Sequence, residues 1–236
     1  MLKTFKALSL MSIVGATVNA QTLIDNFDGS SINVSNWTTS YRSYGNSAIT
    51  LSSGIATIKN GAFITTVSNF SNPTINGRFS FSGWEYDRFQ ILFRSDGTRI
   101  DSQIPNNGIG VQITPSSNPD FGSSKTVQFF DFNTFTALAI AAPQINLNTF
   151  YDFKIIDDGN NIKVYITDMS SPLFTYSTFK TYGNKVQFGN REQAAGSWPP
   201  PYYLNIDSLS IIPEPSALSL LAVGLGVVLR RRRRTV

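Results

Sequence analysis

The chain has 236 residues, of which 14% are charged and 13% aromatic, a balance that excludes disorder throughout its length. It contains no cysteine and no histidine, which excludes disulfides, thiolate and imidazole metal sites, cysteine nucleophiles and any Ser/His/Asp triad. The formal net charge of +4 belongs to the ends: seven of the 19 bases, Lys3, Lys6 and Arg230 to Arg234, lie there, and residues 21–212 keep 12 bases against 14 acids, with no cluster suited to nucleic acid.

In chain order, Lys3 and Lys6 precede an apolar stretch from Ala7 to Val18, and Val18-Asn19-Ala20 sets small residues ahead of a cleavage point between Ala20 and Gln21. This predicts a secretory signal peptide over residues 1–20. About 12 apolar residues at a 1.5 Å rise cover only about 18 Å of a ~30 Å hydrocarbon core, which speaks against an anchor there.

Residues 21–212 are predicted to form one all-β domain. Phe89, Ile91 and Phe93 alternate with Gln90 and Arg94, and Ile109, Val111 and Ile113 alternate with Gly110, Gln112 and Thr114. Period two predicts half-buried strands. Similar runs occupy 22–27, 55–59, 63–67, 74–81, 126–131, 150–157, 162–167, 185–188 and 203–212. Strands at this spacing predict a sandwich or barrel. Asp157-Asp158-Gly159-Asn160-Asn161 offers residues that tolerate positive φ and predicts a hairpin turn. Thr136 to Ala142 reads as either a helix ending before Pro143 or a buried strand, and Pro199-Pro200-Pro201 reads as a loop.

At the C-terminus, Pro213-Glu214-Pro215 is followed by an apolar run and then by Arg230, Arg231, Arg232, Arg233 and Arg234. Proline is tolerated in a first helical turn, which predicts a transmembrane helix over 216–229. The arginines orient it with the tail in the cytoplasm and the body exported. This arrangement resembles the PEP-CTERM sorting signal of exopolysaccharide-producing Gram-negative bacteria. The resemblance covers residues 213–236 and implies an exosortase-type processing enzyme as partner, cleavage near Pro213 to Pro215, transient anchoring in the inner membrane, and delivery to the envelope or extracellular matrix.

A second resemblance lies in the body. Asp25-Asn26-Phe27-Asp28-Gly29 with Trp37, the run from Phe89 to Gly97, Phe150-Tyr151-Asp152-Phe153, and Leu204-Asn205-Ile206-Asp207-Ser208-Leu209 resemble strands of concanavalin-A-like jelly rolls, the lectin, laminin-G-like and β-glucanase group. The resemblance implies a two-sheet jelly-roll sandwich and directs attention to three constellations. In the glucanases of this group one strand presents three carboxylates to the cleft, and Glu85 and Asp87 match the first two positions while Gln90 stands at the third. An amide cannot donate and recover a proton. The sequence therefore leads to the expectation that the chain is not an enzyme, the alternative for Glu85 and Asp87 being coincidental charges at a strand edge.

The second constellation is aromatic: Trp84 with Tyr86, and Trp198 with Tyr202, are candidates to stack on sugar rings, set against the alternative that such rings are core. The third is a structural calcium ion, which jelly rolls of this group often hold. Asp207 occupies the position of the usual ligand, on the same strand face as Leu209 and Ile211 by period two, with a hydrogen-bonded surface aspartate as the alternative. The leading expectation is an exported, non-catalytic polysaccharide-binding module of the envelope or matrix. Its rivals are a purely structural matrix protein and a divergent glycoside hydrolase using Glu85 and Asp87.

Overall fold

The computed structural model describes residues 22–41, 47–59, 61–82, 85–98, 107–191 and 203–213. Gln21–Glu214 forms a unit of its own. Among the described residues fifteen strands run in order: β1 (Leu23–Asp25), β2 (Trp37–Ser40), β3 (Ala48–Ser52), β4 (Ile55–Lys59), β5 (Phe63–Thr66), β6 (Pro73–Ser82), β7 (Phe89–Ser95), β8 (Ile109–Ile113), β9 (Val127–Asp131), β10 (Thr136–Ala141), β11 (Tyr151–Asp157), β12 (Asn161–Ile166), β13 (Phe174–Ser177), β14 (Lys185–Asn190) and β15 (Tyr203–Pro213).

All strand pairs are antiparallel. The first sheet runs β13-β12-β11-β6-β15-β4-β3, with β1 also on β15, and the second runs β10-β9-β8-β7-β14-β5-β2. Neighbours distant in sequence lie side by side in both sheets, which is the crossing pattern of a jelly-roll sandwich. Segment 136–142 resolves to a strand: Ala137, Ala139 and Ile140 pair with Phe130, Phe129 and Gln128. The only helical element among the described residues is a short 3₁₀ turn, Gly122–Ser124.

The strands the alternation missed are β2, β3 and β13, short elements of mostly Ser, Thr and Ala, each at a sheet edge. An edge strand has a partner on one side only and needs few apolar residues, so its pattern is weak. The predicted turn at Asp157–Asn161 closes the hairpin of β11 and β12. Gly159 sits there at φ +88, and Asp158 Oδ1 accepts from the amides of Asn160 and Asn161.

The core lies between the sheets. Phe79 and Phe153 of the first sheet meet Phe89 of the second with ring centroids 5.2 and 5.7 Å apart. Trp37 packs edge-on against Phe188 at 5.8 Å and is anchored through Nε1, which donates to Asp25 Oδ2 at 2.7 Å. Asp25 Oδ1 also accepts from the Phe27 amide at 2.9 Å, so the opening motif works as one hydrogen-bonded unit.

One prediction of the alternation is corrected. β7 and β8 are buried on both faces, not half-buried. Phe89, Ile91 and Phe93 face the core, while Leu92 joins Phe63, Phe130 and Phe132 in a second apolar cluster on the outer face of the same sheet. Gly189 makes room for that cluster, because a Cβ there would overlap the Phe63 ring.

A buried ion pair fastens the two sheets. Arg94 of β7 donates through Nε and Nη2 to Asp157 of β11, at 2.7 and 2.5 Å, and through Nη1 to the carbonyls of Thr178 and Lys180. The Arg94 and Asp157 side chains are 7% and 0% exposed. Removing one partner of such a pair strands a buried charge. Asp157→Asn is therefore expected to cost about 3–5 kcal/mol in urea unfolding, and a loss within experimental error would show that the pair does not hold the sheets.

Candidate functional site

The outer face of the second sheet is built by register. Residues 88, 90 and 92 of the β7 segment alternate with core residues 89, 91 and 93, so Arg88, Gln90 and Leu92 project outward. On β8, Gln112 lies opposite Gln90 and Gly110 opposite Leu92, and on β9 Gln128 lies opposite Gln112. Thr114 continues the outer face of β8, its amide bonded to the Thr126 carbonyl.

These polar side chains are closed to solvent. Gln90 and Gln112 are each 0% exposed, and Gln90 Nε2 donates to Gln112 Oε1 at 3.0 Å. Among the described residues, Gln90 Oε1 and Gln112 Nε2 have no hydrogen-bond partner, nor do Thr114 Oγ1, Asn118 Nδ2 and Arg88 Nε. Arg88 Nη2 donates to Asp120 Oδ2 at 2.9 Å, and its guanidinium lies 4.6 Å from the Phe121 ring centroid. Burial pushes the Arg88 guanidinium below its ordinary value, and Asp120 offsets this only in part.

The residues singled out in the sequence are not all brought together. Glu85 and Tyr86 form a half-buried turn ahead of β7 and do not share its ladder. Asp87 is 1% exposed, and its Oδ1 accepts from Asn190 Nδ2 at 3.0 Å. The same Asn190 nitrogen reaches the Ile58 carbonyl of the first sheet. Asp87 thus lies toward the space between the sheets, whereas Gln90, three residues further on, faces outward.

Asp207 corrects the calcium expectation. A register shift between Ile206 and Ser208 breaks period two, so Asp207 leaves the face of Leu209 and Ile211. Its side chain is 39% exposed and accepts from Arg78 Nη1 at 3.3 Å. The described residues contain no group of three or more acidic, His or Cys side chains able to hold a metal ion.

Pro213 is the last described residue of β15 and pairs there with Pro73. Trp84, Trp198, Tyr202, Ala20, Gln21, Glu214, Pro215 and Arg230 to Arg234 lie outside the described residues, as does the predicted helix over 216–229. Among the described residues no helix is long and apolar enough to cross a membrane. The residues that sequence reasoning missed are Gln112, Thr114, Asn118 and Arg88. Glutamine recurring at outward positions 90, 112 and 128 was the available signal.

No family model and no curated protein sequence matches the chain. Solved structures do resemble it. A Bacillus licheniformis β-glucanase aligns with a TM-score of 0.60 at 14% identity, over 83% of this chain and 100% of the other. A prokaryotic β-1,3-1,4-glucanase, a lichenase derived from a mouse hindgut metagenome, aligns with a TM-score of 0.59 at 13% identity, over 81% and 99%. A pseudo β-1,3-glucanase of Mycobacterium tuberculosis aligns with a TM-score of 0.57 at 13% identity, over 82% and 98%.

The fold is therefore a two-sheet jelly roll of the kind these glucanase structures share. The expectation that the chain is not an enzyme, drawn from Gln90 alone, is overturned by this comparison, since the first two of these structures are glycoside hydrolases by name.

The buried amide pair yields a double-mutant test. Gln90→Leu leaves the Gln112 carbonyl without its donor and is expected to cost about 1–3 kcal/mol in urea unfolding. Adding Gln112→Leu removes both polar groups and is expected to restore most of that loss. Simple additivity of the two substitutions would show that the pair is not coupled.

Proposed function

We propose that this chain is a carbohydrate-active jelly roll that cleaves a glucan-type polysaccharide, with Glu85 and Asp87 as its reacting carboxyls. The observation that carries the reading is the buried outward row of amides on β7 and β8, in which Gln90 Oε1 and Gln112 Nε2 have no hydrogen-bond partner among the described residues, in a fold shared with glucanases; Glu85 and Asp87 precede that row in the chain. Buried amides without partners are costly unless a ligand or water meets them, and sugar hydroxyls both donate and accept.

Cleavage of a glycosidic bond needs a proton for the leaving oxygen and a nucleophile or base at the anomeric carbon. Gln90 can supply neither, so both roles fall to the turn before the strand. Glu85, the more accessible of the two, acts at the carbon. To supply the proton, Asp87 must leave its Asn190 hydrogen bond and turn out of the space between the sheets, where it is 1% exposed.

The terminal segments support an exported route for this activity. Residues 1–20 act as the signal peptide, and the Pro-Glu-Pro, apolar and arginine segments direct the chain to the inner membrane. There an exosortase-type enzyme releases the body to the envelope or matrix.

The test is release of reducing ends from a β-1,3-1,4-glucan and a β-1,3-glucan by the purified chain. Glu85→Gln is expected to lower the rate by about 100-fold or more, the usual range for loss of an acid–base group, with an unchanged melting temperature. No product from either glucan with the unaltered chain, or an undiminished rate in Glu85→Gln, would overturn the proposal.

A further inference from the structure

The outer face of the first sheet carries an open cleft of about 400 Å³, on the side of the sandwich away from Gln90 and Gln112. Its floor follows from register. Ile24 of β1 pairs with Ser210 of β15, Ser210 with Asn76 of β6, and Asn76 with Lys154 of β11, so these four stand in one row across the sheet. Ser208, Arg78 and Asp152 make the neighbouring row. Leu23 and Ile211, one step along their strands, belong to the core, so Ile24 and Ser210 point outward. The serines and the asparagine on the two central strands are short, and the residues at the ends of the row are long, which leaves a trough between them. Asn26 and Met169 complete the lining.

The charges around the trough neutralise one another. Arg78 Nη1 donates to Asp207 Oδ2 at 3.3 Å, and its Nε lies 3.9 Å from Asp152 Oδ1. Lys154 Nζ donates to the Met169 carbonyl at 3.3 Å and sits 4.3 Å from the Tyr165 ring centroid, which holds it toward β12. An anion entering here would meet Asp152, and a cation would have to displace Arg78. What the trough offers instead is paired donors and acceptors. Asn76 Nδ2 donates to Ser210 Oγ at 3.1 Å, which leaves the serine its hydrogen to donate and the asparagine its carbonyl to accept. Ser208 and the exposed Asn26 stand beside them, and Ile24, 64% exposed, adds an apolar wall. A peptide strand has no backbone to pair with, since β15 and β6 each have neighbours on both sides.

We infer that this trough is a second glycan-binding site, which holds an uncharged stretch of polysaccharide and tethers the chain to its polymer away from the cleaving residues. A neutral sugar carries hydroxyls that both donate and accept beside an apolar C–H face, and amide, hydroxyl and carboxylate groups next to an isoleucine match both. The volume lies within the range of about 300–1,000 Å³ usual for small-ligand sites. The inference takes its polymer class from the function proposed above and assigns a site that has no part in cleavage.

The probe is an insoluble β-1,3-glucan with which the full chain is sedimented, while release of reducing ends from a soluble β-1,3-1,4-glucan is followed on the same preparations. The unaltered chain is expected to sediment with the solid. Ser210→Leu fills the floor, and Asp152→Ala removes an acceptor whose side chain is 67% exposed. Each is expected to weaken sedimentation about fivefold to tenfold, the effect of losing roughly one hydrogen bond, with soluble cleavage and melting temperature unchanged. Glu85→Gln is expected to sediment like the unaltered chain. If the soluble glucan is cleaved but the chain does not sediment, or sediments equally well in both trough variants, the second site is wrong while the cleavage reading stands. If nothing is cleaved and both trough variants lose sedimentation, the cleavage reading falls and the site stands. If the chain neither sediments nor cleaves, both fall. Loss confined to Ser210→Leu together with a lowered melting temperature would assign the effect to β15 and also overturn the site.

Discussion

Four hydrogen bonds from the Arg94 guanidinium hold together parts of the chain that lie far apart in sequence. Its side chain joins β7 of the second sheet to Asp157 of the first and to the carbonyls of Thr178 and Lys180. Its own carbonyl accepts from the amides of Tyr182 and Gly183. Arg94 sits at φ 48, a backbone conformation that a non-glycine residue adopts only when its surroundings enforce it. Beside it, Lys180 and Tyr182 both bond Asp131, joining the same crossover to β9. The spacing of the sheets at this end, and with it the course of β7 toward the candidate site, depends on this fastening.

Burial on both faces of β7 and β8 is the second constraint, and it decides the character of the site. A sheet covered on one side only would leave Gln90 and Gln112 in water, where an unpaired amide costs nothing. Here the outer face carries Leu92, Phe63, Phe130 and Phe132 beside the polar row, so each unsatisfied atom is paid for in stability.

Much of this was legible in the chain. Period-two alternation located most of the central strands, and Asp157 to Asn161 announced its turn through residues that accept positive φ. The opening motif around Asp25 and Trp37 carried the resemblance to the jelly roll. The edge strands were not legible, because a strand with one partner needs little apolar pattern. Nor was the side of β15 on which Asp207 falls, because one irregularity in register reverses the side chain and replaces an inward acid with an outward one facing Arg78.

The sequence by itself determined the β class, the absence of cysteine and histidine chemistry, and the amide at position 90, since these follow from residue types and local spacing. Tertiary structure alone decided that Asp87 turns toward Asn190 and that Gln90 meets Gln112. It also placed Arg88 across from Thr114 under the loop holding Asn118. Those relations join residues on separate strands and loops, and strand order and register, which bring them within hydrogen-bonding reach, are set by packing between sheets and not by neighbours along the chain.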